Sequence, residues 1–107
     1  MSFDIKAVRE AVRRGRVVYR VHAIQRMFSR RISEVELIEA LDRAEVIEED
    51  PNDKPYPSAL LLGFTRDKRP LHVACAFDEM GQLIIITAYE PDATRWEHDW
   101  KTRRERR

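Results

Sequence analysis

Cysteine and glycine are scarce in this chain of 107 residues: Cys75 stands alone, and the three glycines, at 15, 63 and 81, are isolated from one another. A lone cysteine forms no internal disulfide, and Cys75 lies in an alternating apolar stretch where a small buried hydrophobe is the simplest reading. Without clustered glycines there is no phosphate-cradling loop and no Gly-x-Ser-x-Gly elbow. Nucleotide-dependent enzymes and serine or cysteine hydrolases are therefore poor fits. The three histidines, 22, 72 and 98, are not spaced with a carboxylate or another histidine as a ligand pair, so neither metal nor cofactor is expected. Long apolar runs are also missing. The stretch Leu83 to Ala88 is far too short to cross a bilayer. Asp4, Lys6 and Arg9 interrupt the first residues, so no signal peptide is expected, and the cytoplasm is the expected compartment. No repeat, low-complexity tract or linker divides the chain, which reads as a single domain over residues 1–107.

The charge is plentiful and unevenly placed. Residues 1–31 hold nine Lys or Arg against two Asp or Glu, residues 32–57 hold two against nine, and residues 58–107 hold nine against eight. A net charge of +1 thus hides a basic segment followed by an acidic one. Such a pattern fits a phosphate-binding face, or two surface halves that pair with each other.

Hydrophobic spacing divides the chain in two. Ile5, Val8 and Val12 form a helical stripe, capped by Asp4 or Ser2 and stopped at Gly15. Val17 to Val21 reads as a short strand or extended link. Helix returns from His22 to Arg31, with Ile24, Met27 and Phe28 expected to face inward. Ser33-Glu34-Val35-Glu36 is a capping box that opens a third helix buried through Leu37, Ile38, Leu41 and Ala44. After Ala44 the period changes from 3.6 to 2. Glu45 to Glu49 reads as a short strand, and prolines 51, 55 and 57 make Glu49 to Ser58 a loop. Ala59–Thr65, Leu71–Phe77 and Gln82–Tyr89 are expected as antiparallel strands joined by short links. Pro91-Asp92 is expected to start a short C-terminal helix carrying Trp96 and Trp100 one turn apart. The expectation is an α+β domain with N-terminal helices packed on an antiparallel β-meander.

Two groups of residues suit chemistry. On a helix His22, Arg26 and Arg30 fall at i, i+4 and i+8, a polar stripe in which two guanidinium groups would hold a phosphate and an imidazole would move a proton. In the strands, His72 sits between Ala74 and the start of its strand on the face opposite Leu71, Val73 and Cys75. Tyr89 ends its strand, with Leu83, Ile85 and Thr87 expected on the same face, as a proton-transfer group or a stacking surface for a base. Arg95, Trp96 and Trp100 are candidates to line a groove, although two tryptophans at that spacing more often dock a helix on a sheet.

The runs His22-Ala23, Arg26-Met27, Pro55-Tyr56-Pro57-Ser58, Leu60-Leu61-Leu62-Gly63, Pro70-Leu71-His72-Val73 and Tyr89-Glu90-Pro91-Asp92 together resemble the family called domain of unknown function 4258. That resemblance implies kinship with RelE-, ParE- and BrnT-like toxins, and hence a RelE-like fold. It also implies a neighbouring zinc-finger antitoxin as partner. The family carries no settled activity; the expectation drawn from the residues themselves is a metal-independent endoribonuclease, the toxin of a type II toxin–antitoxin pair acting on RNA, with His22, Arg26, Arg30, His72 and Tyr89 as site residues. The alternative is a non-enzymatic ParE-like or protein-binding module.

Overall fold

Local capping decides where the helices begin and end. The computed structural model describes residues 3–105. Helix α1 (Ile5–Arg13) starts at Asp4, whose carboxylate accepts the N–H groups of Lys6 and Ala7. Ser2, the alternative cap, lies outside the described residues. Gly15 at φ +69 closes α1, with its N–H on Val12 O and that of Arg16 on Ala11 O, a Schellman stop. Strand β1 (Val17–Tyr19) follows, and then α2 (Val21–Ser29). The same pair of bonds ends α2, from Arg31 to Phe28 and from Ile32 to Met27, but Arg31 rather than glycine takes the left-handed position at φ +57. Helix α3 (Glu34–Asp42) has the expected capping box between Ser33 and Glu36.

Strands β2 (Glu45–Asp50), β3 (Ser58–Phe64), β4 (Pro70–Phe77) and β5 (Leu83–Tyr89) form the antiparallel meander. β1 joins parallel to β5, so the sheet is mixed, in the order β1-β5-β4-β3-β2. A parallel partner was not legible because β1 contributes only three residues, and the crossover between it and β5 spans most of the chain. Among the described residues the fold is thus α+β, with three helices on a five-stranded mixed sheet.

All three helices cover one face. Val8 and Ala11 of α1, Ala23 and Met27 of α2, and Leu37, Ala40 and Leu41 of α3 cluster with Leu61, Leu71, Val73, Cys75, Leu83, Ile85 and Ala88 of the sheet. Gly63 lets α3 approach β3: a Cβ there would lie 2.0 Å from the Ala40 carbonyl oxygen.

Three expectations need correction. In α2 the buried residues are Ala23 and Met27, whereas Ile24 is 55% and Phe28 87% exposed. Small Ala23 lets the helix lie close on β5, and that rotation turns Ile24 and Phe28 out to solvent. In β5 the register with β4 shifts between Ala74 and Cys75, which pair with Thr87 and Ile85 respectively and leave Ile86 as an extra residue. This bulge sends Thr87 and Tyr89 to the face opposite Leu83 and Ile85. Finally, residues 91–105 form no helix; they fold as turns with one bridge between Trp96 and Arg103. Asp92 accepts from the Thr94 N–H, and Asp99 from those of Lys101 and Thr102, so side-chain acceptors compete with helical bonding.

Candidate functional site on the open sheet face

The sheet face away from the helices is framed at both ends. The loop at 51–57 is tied down at one end, where Ser58 donates to Asp53 at 2.7 Å. At the other end the C-terminal segment lies over β4. Between them is a groove of about 300 Å³ lined by Glu48, Leu60, Ala74, Thr87, Tyr89 and Arg103. Alternation along β3 and β4 puts Leu60 and Ala74 on its floor, and the β5 bulge brings Thr87 and Tyr89 to the same surface.

His72 is the anchor beneath the groove. Its side chain has no exposed surface, and its register partner is Tyr89. Nε2 lies 2.7 Å from the Trp100 carbonyl oxygen, and Nδ1 lies 3.2 Å from the Tyr89 hydroxyl. A carbonyl oxygen only accepts, so Nε2 carries a proton, and in the neutral ring Nδ1 is left to accept from Tyr89 O–H. Trp96 stands edge-on to the imidazole at 4.4 Å between ring centroids. Burial lowers the proton affinity of His72, opposed by its hydrogen bond to Trp100 and the charge of Glu48. Burial also raises the pKa of Tyr89, while the charges of Arg103 and Arg30 pull against that rise.

Cations reach the groove from two sides. From the C-terminal cap of α2, Arg30 donates to Ala88 O at 2.8 Å and to Thr87 Oγ1 at 3.4 Å, and its guanidinium lies 5.9 Å from the Tyr89 ring centre. Arg69 holds that cap in place by donating to the carbonyls of both Arg30 and Arg31 while pairing with Glu90 and Glu36. From the C-terminal segment, Arg103 stacks on Trp96 at 4.7 Å and grips Glu48 with two bonds of 2.7 and 3.0 Å. The Arg103 bond holds the Glu48 carboxyl below its ordinary pKa.

The sequence candidates therefore separate. Arg30, His72 and Tyr89 come together. His22 and Arg26 are exposed on α2, and among the described residues neither side chain makes a hydrogen bond or ion pair with the sheet. Glu48 and Arg103 belong to the groove but were not singled out. The only signal for Glu48 was its alternate position on an acidic strand, and Arg103 is placed by turns that helical spacing does not describe. A larger hollow of about 830 Å³ between α3 and the β3–β4 turn is lined by Val35, Ile38 and Phe64 among charged residues. It contains no histidine or tyrosine and lacks coupled proton-transfer groups.

Among the described residues, no ion pair joins residues 3–31 to residues 32–57. The acidic segment is paired instead by Arg66, Arg69, Lys101 and Arg103. The reading in which the basic and acidic halves neutralise each other is thereby disfavoured. No helix among the described residues is long and apolar enough to cross a membrane.

No curated protein and no solved structure matches the chain. A family model does match residues 19–90, a span that includes His22, Arg30, Glu48, His72 and Tyr89 but ends before Trp96, Trp100 and Arg103. With about two-thirds of its 107 residues inside that match, the chain belongs to the family described as domain of unknown function (DUF4258).

Proposed function

We propose that the open sheet face binds a phosphodiester of single-stranded RNA and cleaves it without a metal ion, with Tyr89 as the group that touches the reacting atoms. The observation that carries this reading is the coupled pair His72–Tyr89 with a cation on each side of it: Arg103 lines the groove, and Arg30 lies over the Tyr89 ring where β5 borders it. In the reaction the ribose 2′-oxygen attacks the adjacent phosphorus. Its proton passes to the Tyr89 oxygen as the Tyr89 proton passes to His72 Nδ1. The P–O5′ bond breaks, His72 returns its proton through Tyr89 to the leaving oxygen, and the products are a 2′,3′-cyclic phosphate and a 5′-hydroxyl. The guanidinium groups of Arg30 and Arg103 stabilise the extra charge on phosphorus oxygens. Burial suits His72 to this role, because an imidazolium that is poorly solvated gives its proton back readily.

His22 and Arg26 then serve as contacts for flanking phosphates rather than in the chemical step. A chain with this activity, expressed alone, would act as a toxin, and a small partner that covers the groove would silence it.

The test is cleavage of defined single-stranded RNA in the presence of a chelator, with analysis of end groups. Cyclic phosphate ends from the wild-type chain, and a loss of about 10²–10⁴-fold in rate for Tyr89→Phe, are expected. No cleavage by well-folded wild-type protein would defeat the reading. One observation favours a non-enzymatic module that binds another protein: Arg103 is already neutralised by Glu48, and Glu49 and Asp50 make that rim acidic. Under that reading the groove binds a partner and leaves RNA ends unchanged.

A further inference from the structure

The family match stops at 90, yet the ring of His72 is held from ten residues further on. Residues 91–105 reach back across the sheet and make three separate contacts with the site. Trp100 O accepts from His72 Nε2 at 2.7 Å, Trp96 packs edge-on against the imidazole, and Arg103 binds Glu48 while stacking on Trp96. The segment has its own internal ties, from Trp100 N–H to Glu97 O, from Glu97 N–H to Thr102 O and from Arg104 N–H to Arg95 O. Trp100 itself sits at φ +61, a left-handed conformation that is unfavourable for a non-glycine residue. Strain of that kind persists where the surroundings over-determine it, and here it sits in the residue whose carbonyl meets the histidine.

We infer that the C-terminal segment is a positioning element for the site: the Trp100 carbonyl fixes His72 as its Nε2–H tautomer and thereby makes Tyr89 a proton acceptor toward the groove. The role assigned to Tyr89 rests on the cleavage reading above; the tautomer does not. With Nε2 protonated, the bare Nδ1 attracts the Tyr89 O–H, and the lone pairs of the phenol oxygen are left for substrate. The opposite tautomer would set two acceptors, Nε2 and the carbonyl oxygen, against each other at 2.7 Å. It would also turn Nδ1–H onto the Tyr89 oxygen and free the phenol hydrogen for the groove, so Tyr89 would start as a donor. Only a doubly protonated ring satisfies both contacts as a donor, which is the state reached after Tyr89 has passed its proton inward. Charged and titratable groups facing this pair are Glu48 on β2, Arg103 on the C-terminal segment, and Arg30 from α2. The C-terminal segment thus decides the direction in which the first proton moves, although it lies outside the part of the chain that defines the family.

The full chain, labelled with nitrogen-15 at histidine, tests this by the ring-nitrogen resonances of His72 at pH 8. A protonated Nε2 and a bare Nδ1 are expected. A protonated Nδ1, or a rapid mixture of tautomers, overturns the inference. Arg103→Ala, which releases the segment from Glu48, should shift the ring toward a tautomer mixture; an unchanged single tautomer on a segment shown by its amide signals to be released would also overturn it. His72→Gln places an amide N–H where Nε2–H was and keeps the bond to Trp100, but offers Tyr89 no bare ring nitrogen. Its expected signature is a kcat lowered at least tenfold with KM unchanged, and a raised KM with normal kcat would count against the inference. If the tautomer is as stated and no RNA is cleaved, the cleavage reading fails while the positioning of His72 stands.

Discussion

A fully buried imidazole makes acid a stress on this fold. Burial lowers the pKa of His72 below its ordinary value of about 6.5, so between those two values the unfolded chain binds a proton that the folded chain refuses. Stability is therefore present above pH 6.5 and is lost as pH falls through the depressed value. Chemical unfolding followed from pH 8 to pH 5 should show the wild-type chain losing stability across that window, with a shallower loss for His72→Gln, which does not titrate. Equal slopes for both proteins would mean that His72 is not the group responsible. At this scale much of the site was legible. Strand alternation opposed His72 to the core side chains, and Tyr89 was conspicuous at a strand end. Their pairing was hidden because a bulge at Ile86 reverses the facing of Tyr89, and nothing in the residue types of β5 announces where an apolar strand will bulge. Glu48 and Arg103 stayed hidden for a related reason, since each matters through a partner 55 residues away.

The elements show how capping and close approach position those residues. The strand pattern was read well because β3, β4 and β5 are short apolar runs bounded by turn residues, and prolines mark the preceding loop. Helix faces were read less well. In α2 the expected stripe of Ile24, Met27 and Phe28 holds only at Met27, and its buried companion is the small Ala23 instead of the two larger side chains. Met27→Ala should accordingly cost about 2–5 kcal/mol and Phe28→Ser less than about 0.5, as measured by urea unfolding. The reverse order would restore the face expected from the sequence. Close approach also governs α3. Gly63→Ala would press a methyl into the Ala40 carbonyl, an overpacking that costs at least about 1–3 kcal/mol because backbone, not a flexible side chain, must yield. At the end of α2 the left-handed Arg31 invites the opposite change. Arg31→Gly should stabilise the fold by about 1 kcal/mol, raising the unfolding midpoint without disturbing Arg69, which binds the Arg31 carbonyl and not its side chain.

For the molecule as a whole, the balance of +1 says little about binding because the charges are partnered unequally. Glu36, Glu39, Glu45 and Glu48 of the acidic segment are bound by cations of the C-terminal half, while Arg20, Arg26 and Arg30 lack an ion pair among the described residues. At the groove, Arg30 approaches over Tyr89 and Arg103 over Trp96, and Arg20 adds to the forces, chiefly the Ser58 and Lys54 bonds, that hold the Asp53 carboxyl low. Glu48, Glu49 and Asp50 oppose them on the β2 side. A single strand lying in this groove would therefore have two or three phosphates neutralised by Arg30, Arg103 and Arg20, and one flanking phosphate by Arg26, three or four in all. Counterion release then predicts that log K falls with log salt at a slope of about −2.1 to −2.8, from roughly −0.7 per phosphate on single strands. Titration of a non-cleavable oligonucleotide against the Tyr89→Phe chain at several salt concentrations measures it. Arg30→Ala should make the slope shallower by about 0.7, whereas a substitution at Arg13, on the helix-covered side, should leave it unchanged. A slope steeper than about −4 would mean that the arginines of α1 join the contact and that RNA wraps the helical face. A slope near zero would mean that no phosphate is held, and the groove would then have to be occupied by a partner whose basic side chains meet Glu48, Glu49 and Asp50.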